Sequence, residues 1–178
     1  MAFDSYLRFP KNNIIRGETL DEEMAKEGAF QITQFSFGAE NSSVIDSQSG
    51  GGGVGKTDFQ DFTFDKLTDT ASAGLYRACA TGDHLDEAIM ECRRQGAGSN
   101  AGGKHFFIVR FKTVIVKSMS WSGSGDELTE SITLAYGAKQ IEYRRQGKDG
   151  KMIKPSSGQG EAEWSKVLNK EKYAVQKA

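Results

Sequence analysis

The sequence predicts a mainly β protein: a single-domain β-barrel of two sheets with one short flanking α-helix. Three observations carry that reading. The 178 residues include 21 glycines against two prolines, together with eleven phenylalanines, a composition that favours strands joined by glycine turns over a helical bundle. Apolar side chains recur at a spacing of two along most of the ordered-looking segments, the period of a strand. Only one stretch, near residues 72–82, carries helical spacing. A chain of this length buries roughly 70% of its unfolded surface and needs no metal or disulfide to fold.

Phe3 to Phe9 alternates and opens the fold as a strand, and Phe30 to Phe37 is a second, with the loop Gly17–Asp21 between them. Residues 38–57 form an extended glycine-rich loop, followed by a strand over residues 59–64 with Phe62 and Phe64 on one face. The helix is capped by Ser72 or Thr70, places Leu75, Ala78 and Cys79 on one side, and ends at Gly82, where a left-handed residue is expected. Leu85 to Arg94 is a strand, with Ala88, Met90 and Cys92 on one face and Glu87, Ile89 and Glu91 on the other. A second glycine loop spans 95–104. His105 to Lys117 is the most apolar strand and is predicted to be central. Glu130 to Tyr136 turns Ile132, Leu134 and Tyr136 inward, and Gly137 marks a bulge or bend before residues 138–146. The tail, 147–178, begins turn-rich and docks back through Trp164, Val167 and Leu168. Neither a repeat nor a second domain is visible.

The formal net charge of −1 gives no electrostatic basis for nucleic-acid binding. The first residues have neither the basic start nor the apolar run of a signal peptide, and no stretch approaches a membrane span, so a cytoplasmic protein is expected unless export bypasses signal peptides. Cys79 and Cys92 are expected to be reduced and unbridged. His84 and His105 are read as surface or sheet-edge residues without partners, and Asp83, Asp86 and Glu87 as a solvated acidic turn. Arg93-Arg94 and Arg144-Arg145 each send one charge to either face, consistent with solvation or a subunit contact. No catalytic constellation, cofactor site or metal site is found.

One motif points elsewhere. Gly50-Gly51-Gly52-Gly53-Val54-Gly55-Lys56-Thr57 satisfies the phosphate-binding pattern G-x-x-x-x-G-K-[ST]. A working phosphate loop needs a buried strand before it and a helix starting at its Lys-Thr pair. Here the preceding residues are polar and the following ones have strand spacing, so the motif is read as a loop between strands. A nucleotide-binding enzyme and a monomeric barrel holding a small ligand remain the alternatives from other functional classes.

An ordered series of segments carries a family resemblance: Met1–Leu7, Gly17–Asp21, Phe35-Ser36-Phe37-Gly38, Gly55-Lys56, Asp61–Lys66, Asp69, Ser72, Leu75, Ala78-Cys79, Thr81-Gly82 and Glu130–Tyr136. Together they resemble the Hcp (haemolysin-coregulated protein) family, the tube subunits of bacterial type VI secretion systems, over roughly residues 1–146. Two features depart from the family's habit: Ser72-Ala73 in place of Ser-Pro, and the glycine-rich loop at 95–104. The resemblance implies a barrel that assembles into a hexameric ring, with rings stacking into a hollow tube propelled by a contractile sheath. It implies sheath and spike proteins as partners, effectors carried in the lumen, no enzymatic activity, and secretion from the bacterial cytoplasm without a signal peptide. By position, Gly50, Gly51, Gly52, Gly53, Val54, Gly55 and Lys56 become a candidate ring-stacking loop.

Overall fold

The computed structural model describes residues 3–42, 44–45, 52–53, 57–94, 104–148, 150–156 and 158–176. The chain opens with β1 (Asp4–Arg8). A five-residue helix, α1 (Glu22–Lys26), follows where the sequence suggested only loop. Its cap is Asp21, whose Oδ1 accepts from the amides of Glu23 and Met24 at 3.1 and 3.0 Å, and it exists to bury Met24. A single turn is too short to display helical periodicity, so no sequence pattern announces it.

The strand expected over Phe30–Phe37 is two strands, β2 (Phe30–Ile32) and β3 (Gln34–Ser36). Thr33 is a corner between them, its amide donating to Asp65 O at 2.8 Å. The described residues of the segment 38–57, expected as a loop, are paired into an arm. In it β4 (Ala39–Asn41) pairs β7 (Thr57–Phe59), and farther out β5 (Val44–Ile45) pairs β6 (Gly52–Gly53).

Next come β8 (Phe62–Leu67), α2 (Ser72–Thr81), β9 (His84–Arg94), β10 (Lys104–Ser124) and β11 (Glu127–Tyr143). The short strands β12 (Arg145–Gln146), β13 (Met152–Ile153) and β14 (Glu161–Ser165) complete the chain. Gly82 ends α2 at φ 68°, as expected, but neither Ser72 nor Thr70 caps its start. The N-cap is Ala71, without a side-chain bond. Asp69 fills part of that role by accepting from the Ala71 amide at 2.9 Å, which frees the Ser72 hydroxyl for the interior.

The main sheet runs β2-β1-β9-β10-β11-β8-β3, with antiparallel pairing throughout. Its first and last strands are joined through the Thr33 corner, so the sheet curls into a nearly closed barrel. The hairpin β10–β11 forms its spine, as the apolar run from His105 predicted. β11 is long enough for two partners on one edge: Thr129–Leu134 pairs β8, and Ala138–Glu142 pairs β14. The register is unchanged on either side of Gly137, and the bulge lies on the partner strand between Val116 and Ser118. Facing Gly137, Thr113 takes a left-handed φ of 53°. A Cβ on Gly137 would lie 2.8 Å from Val175 Cγ1 and 3.3 Å from Val167 Cγ2, so this glycine admits the returning tail.

Leu7, Phe30, Phe62, Phe64, Met90, Val109, Phe111, Ile132 and Leu134 fill the barrel, and α2 adds Leu75 and Ala78 to the same core. The rings of Phe62 and Phe111 stack at 4.6 Å between centroids. This interior is occupied by side chains where a ligand-holding barrel would need a deep apolar cavity.

Candidate functional site

The arm contains the phosphate-loop motif, and its pairing decides what that motif can do. Gly52 and Gly53 lie in β6, whereas Gly50, Gly51, Val54, Gly55 and Lys56 fall outside the described residues. Thr57 begins β7, a strand, where phosphate binding requires the first turn of a helix with its amides pointing at the anion. The root of the arm is fixed by the Gln60 amide donating to Gly38 O at 3.1 Å, by Phe37 stacked on Phe107, and by Phe59 stacked on Trp164.

A second feature lies where β10 and β11 run out past the core. Tyr76 of α2 and Trp121 of β10 are 57% and 42% exposed, with ring centroids 5.6 Å apart. Leu128, two residues from Glu130 on the neighbouring strand, is also exposed. Trp121 is held from beneath, because Trp121, Glu130 and Lys66 form a row across three strands. The indole Nε1 donates to Glu130 Oε1 at 2.8 Å, and Lys66 Nζ donates to Glu130 Oε2 at 3.0 Å and to Ser72 Oγ at 3.0 Å. Lys66 and Glu130 are fully buried. Burial pushes the Glu130 carboxyl up, but bonds from Ser72, Lys66 and Thr68 and the Lys66 charge outweigh it, leaving the group below the usual carboxylate range. The sequence reading singled out neither Trp121 nor the ion pair. The only available signal was a tryptophan in an otherwise serine- and glycine-rich strand end.

The charged residues that the sequence did nominate are engaged differently from expectation. Arg93 is buried, not solvated, and pairs with Asp21 at 2.6 Å and with Glu23. Arg94 lies over the Phe106 ring at 4.0 Å. His105 lies near Glu91 and Glu23, at 3.6 and 3.8 Å, beyond hydrogen-bond distance, and its buried Nδ1 has no hydrogen-bond partner among the described residues. Arg144 joins Arg110 on the buried Glu142, at 2.7 and 3.2 Å, while Arg145 is exposed. Glu142 is pushed up by burial and drawn down further by these two guanidiniums, ending below the usual carboxylate range. Asp83, His84 and Asp86 are exposed, but Glu87 accepts from the tail's Tyr173 hydroxyl at 2.7 Å. Cys79 and Cys92 are free thiols. Among the described residues no group of His, Cys, Asp and Glu is arranged to hold a metal, and no helix is long and apolar enough to cross a membrane.

Comparison with known proteins agrees with this architecture. The family described as "Type VI secretion system effector, Hcp" matches residues 6–143. The protein Hcp1 of Pseudomonas aeruginosa is 35% identical over 97 residues, which make up 53% of this chain and 58% of the relative, so the match spans little more than half of that protein's length. A solved structure described as a type six secretion system protein superposes with a TM-score of 0.80 at 28% identity, covering 96% of this chain and all of its own. Hcp1 from Salmonella typhimurium superposes with a TM-score of 0.71 at 25% identity, over 96% and 99% of the two chains. With the family match running from β1 through the end of β11, the chain belongs to the Hcp family of type VI secretion proteins.

Proposed function

We propose that the protein is a tube subunit of a type VI secretion system, a single domain over residues 1–178. In this reading six copies close into a ring, and rings stack into a hollow tube driven outward by a sheath behind a spike, with effectors held in the lumen. The chain is made in the bacterial cytoplasm and secreted with the tube. The observation that carries this reading is the exposed Tyr76–Trp121 pair, with Leu128 exposed on the adjacent strand. Two touching aromatic rings held half out of water by a buried hydrogen-bonded row are a poor arrangement for a monomer and a good one for a contact between copies. A closed ring needs complementary surfaces on different faces of each subunit, and the projecting arm offers a further contact. Residues Gly50–Lys56 serve contact between successive rings.

The test is the mass of the native particle. About six times the 19.5 kDa chain is expected, and Trp121→Ala with Tyr76→Ala shifts the distribution toward smaller species while each subunit stays folded. A strictly monomeric wild-type protein at high concentration overturns the proposal.

A further inference from the structure

We infer that Lys139 is a nucleophilic lysine set in an apolar groove, a site where apolar aldehydes form a Schiff base. The groove, about 340 Å³, is walled by Phe59, Ile141, Ala162 and Trp164, with Glu163 and Glu171 also lining it. Lys139 faces Trp164 directly across the β11–β14 ladder and is only 7% exposed. Among the described residues its ammonium has no hydrogen-bond or ion-pair partner. It is surrounded instead by the rings of Phe37, Tyr136 and Phe59, at 5.0, 5.6 and 5.7 Å. Of the nearby carboxylates, Glu163 is occupied by Gln140 Nε2 at 3.2 Å.

The three rings favour the charged form. Burial works against it, and the Lys166 ammonium adds repulsion, so the Lys139 pKa lies below the ordinary lysine value. Lys117 and Lys154 are the contrast. Both are largely exposed and paired, with Asp61 at 2.8 Å and Glu161 at 2.7 Å, and these hydrogen bonds raise their pKa. Lys139 therefore keeps more of its amine neutral near pH 7, in surroundings that bind an aliphatic chain.

The neutral amine adds through its lone pair to the aldehyde carbon. The carbinolamine then loses water, the carbonyl oxygen leaving with the two amine protons, and a C=N bond remains. The aldehyde's chain lies along Phe59 and Trp164, at the root of the arm.

The experiment uses the purified full chain near neutral pH with limiting hexanal and cyanoborohydride, which traps imines as secondary amines, followed by peptide mass spectrometry. Lys139 is expected to be modified first, several-fold ahead of Lys117 and Lys154. Glycolaldehyde, which has no chain for the groove, loses most of that lead, and so does hexanal on Phe59→Ala. At about pH 10.5, where ordinary lysines also deprotonate, the lead narrows. Lys139 trailing the exposed lysines, or leading equally with both aldehydes, overturns the inference. The two-aldehyde comparison uses only wild-type protein, so it stands if Phe59→Ala fails to fold.

Discussion

Lys66→Met tests the buried row beneath Trp121, since methionine keeps most of the stem and removes the ammonium. The change deletes bonds to Glu130 Oε2 at 3.0 Å, Ser72 Oγ at 3.0 Å and Leu67 O at 2.8 Å, and a contact with Asp69 Oδ1 at 2.8 Å. Glu130 is left as a buried carboxylate without its countercharge, a loss of about 3–5 kcal/mol. The lower end is expected, because Trp121 still donates to Glu130 and the partly exposed Asp69 can turn to water. For a chain of this size about 3 kcal/mol lowers Tm by roughly 6–12 °C. The pH dependence has a definite sign. Glu130 in the folded wild type titrates below its unfolded value, so its stabilisation is present above the unfolded carboxylate range, about 4.3, and disappears as pH falls through the folded pKa. In the variant, burial dominates and the carboxyl takes up a proton at higher pH, so the deficit is largest near neutrality and shrinks toward about pH 4. Urea titrations at neutral and mildly acidic pH, at one protein concentration, measure both effects. Adding Glu130→Gln, which retains an acceptor for Trp121, recovers part of the loss. A deficit under about 1 kcal/mol at neutrality, or a double variant as unstable as the sum of its parts, refutes the reasoning.

Leu134→Ala is expected to cost about 2–5 kcal/mol by emptying a fully buried site, and Thr133→Ala far less, since Thr133 is only half-buried and shares a 3.4 Å contact with Thr63. Equal losses in urea unfolding contradict the register. Gly137→Val places a branched side chain against Val175 and Val167. The Lys166 and Val167 amides, which donate to Gly137 O, are then expected to exchange faster with solvent while the β9–β10 ladder keeps its protection. Shortening Gly50–Gly53 is expected to leave the ring mass unchanged and to weaken tube assembly and secretion. A deletion that dissolves the ring moves this segment into the ring interface.

The strands that the sequence revealed are those with one face in the core. β9 shows Ala88, Met90 and Cys92 inward as alternation predicts, and β11 does the same with Ile132, Leu134 and Tyr136. Alternation did not show that the other face of β9 is also covered: Ile89, Glu91 and Arg93 are buried as well, because α1, invisible to periodicity, brings Asp21 and Glu23 onto Arg93. The corner at Thr33 was illegible for a similar reason. Thr33 suits a strand as well as its neighbours do, and only the carbonyl of Asp65, 32 residues on, turns the chain there. The arm looked unstructured because glycine carries no strand signal, although its backbone can pair. At the candidate site, Trp121 and the Lys66–Glu130 pair depend on residues up to 64 apart in sequence. Spacing rules cannot bring such residues together.

The seam between β11 and β14 gives the chain an order of completion. Every other strand of the main sheet finds its neighbours by Tyr143, but the Ala138–Glu142 edge waits for residues 161–165, synthesised after all of them. Until they arrive, a nascent chain presents an open row of amides and carbonyls beside Ile141 and Phe59, an edge that invites pairing with the wrong strand. A message truncated before Glu161 would yield subunits that keep most of the wall yet carry this adhesive seam, and quality control would have reason to remove them before they reached a growing assembly.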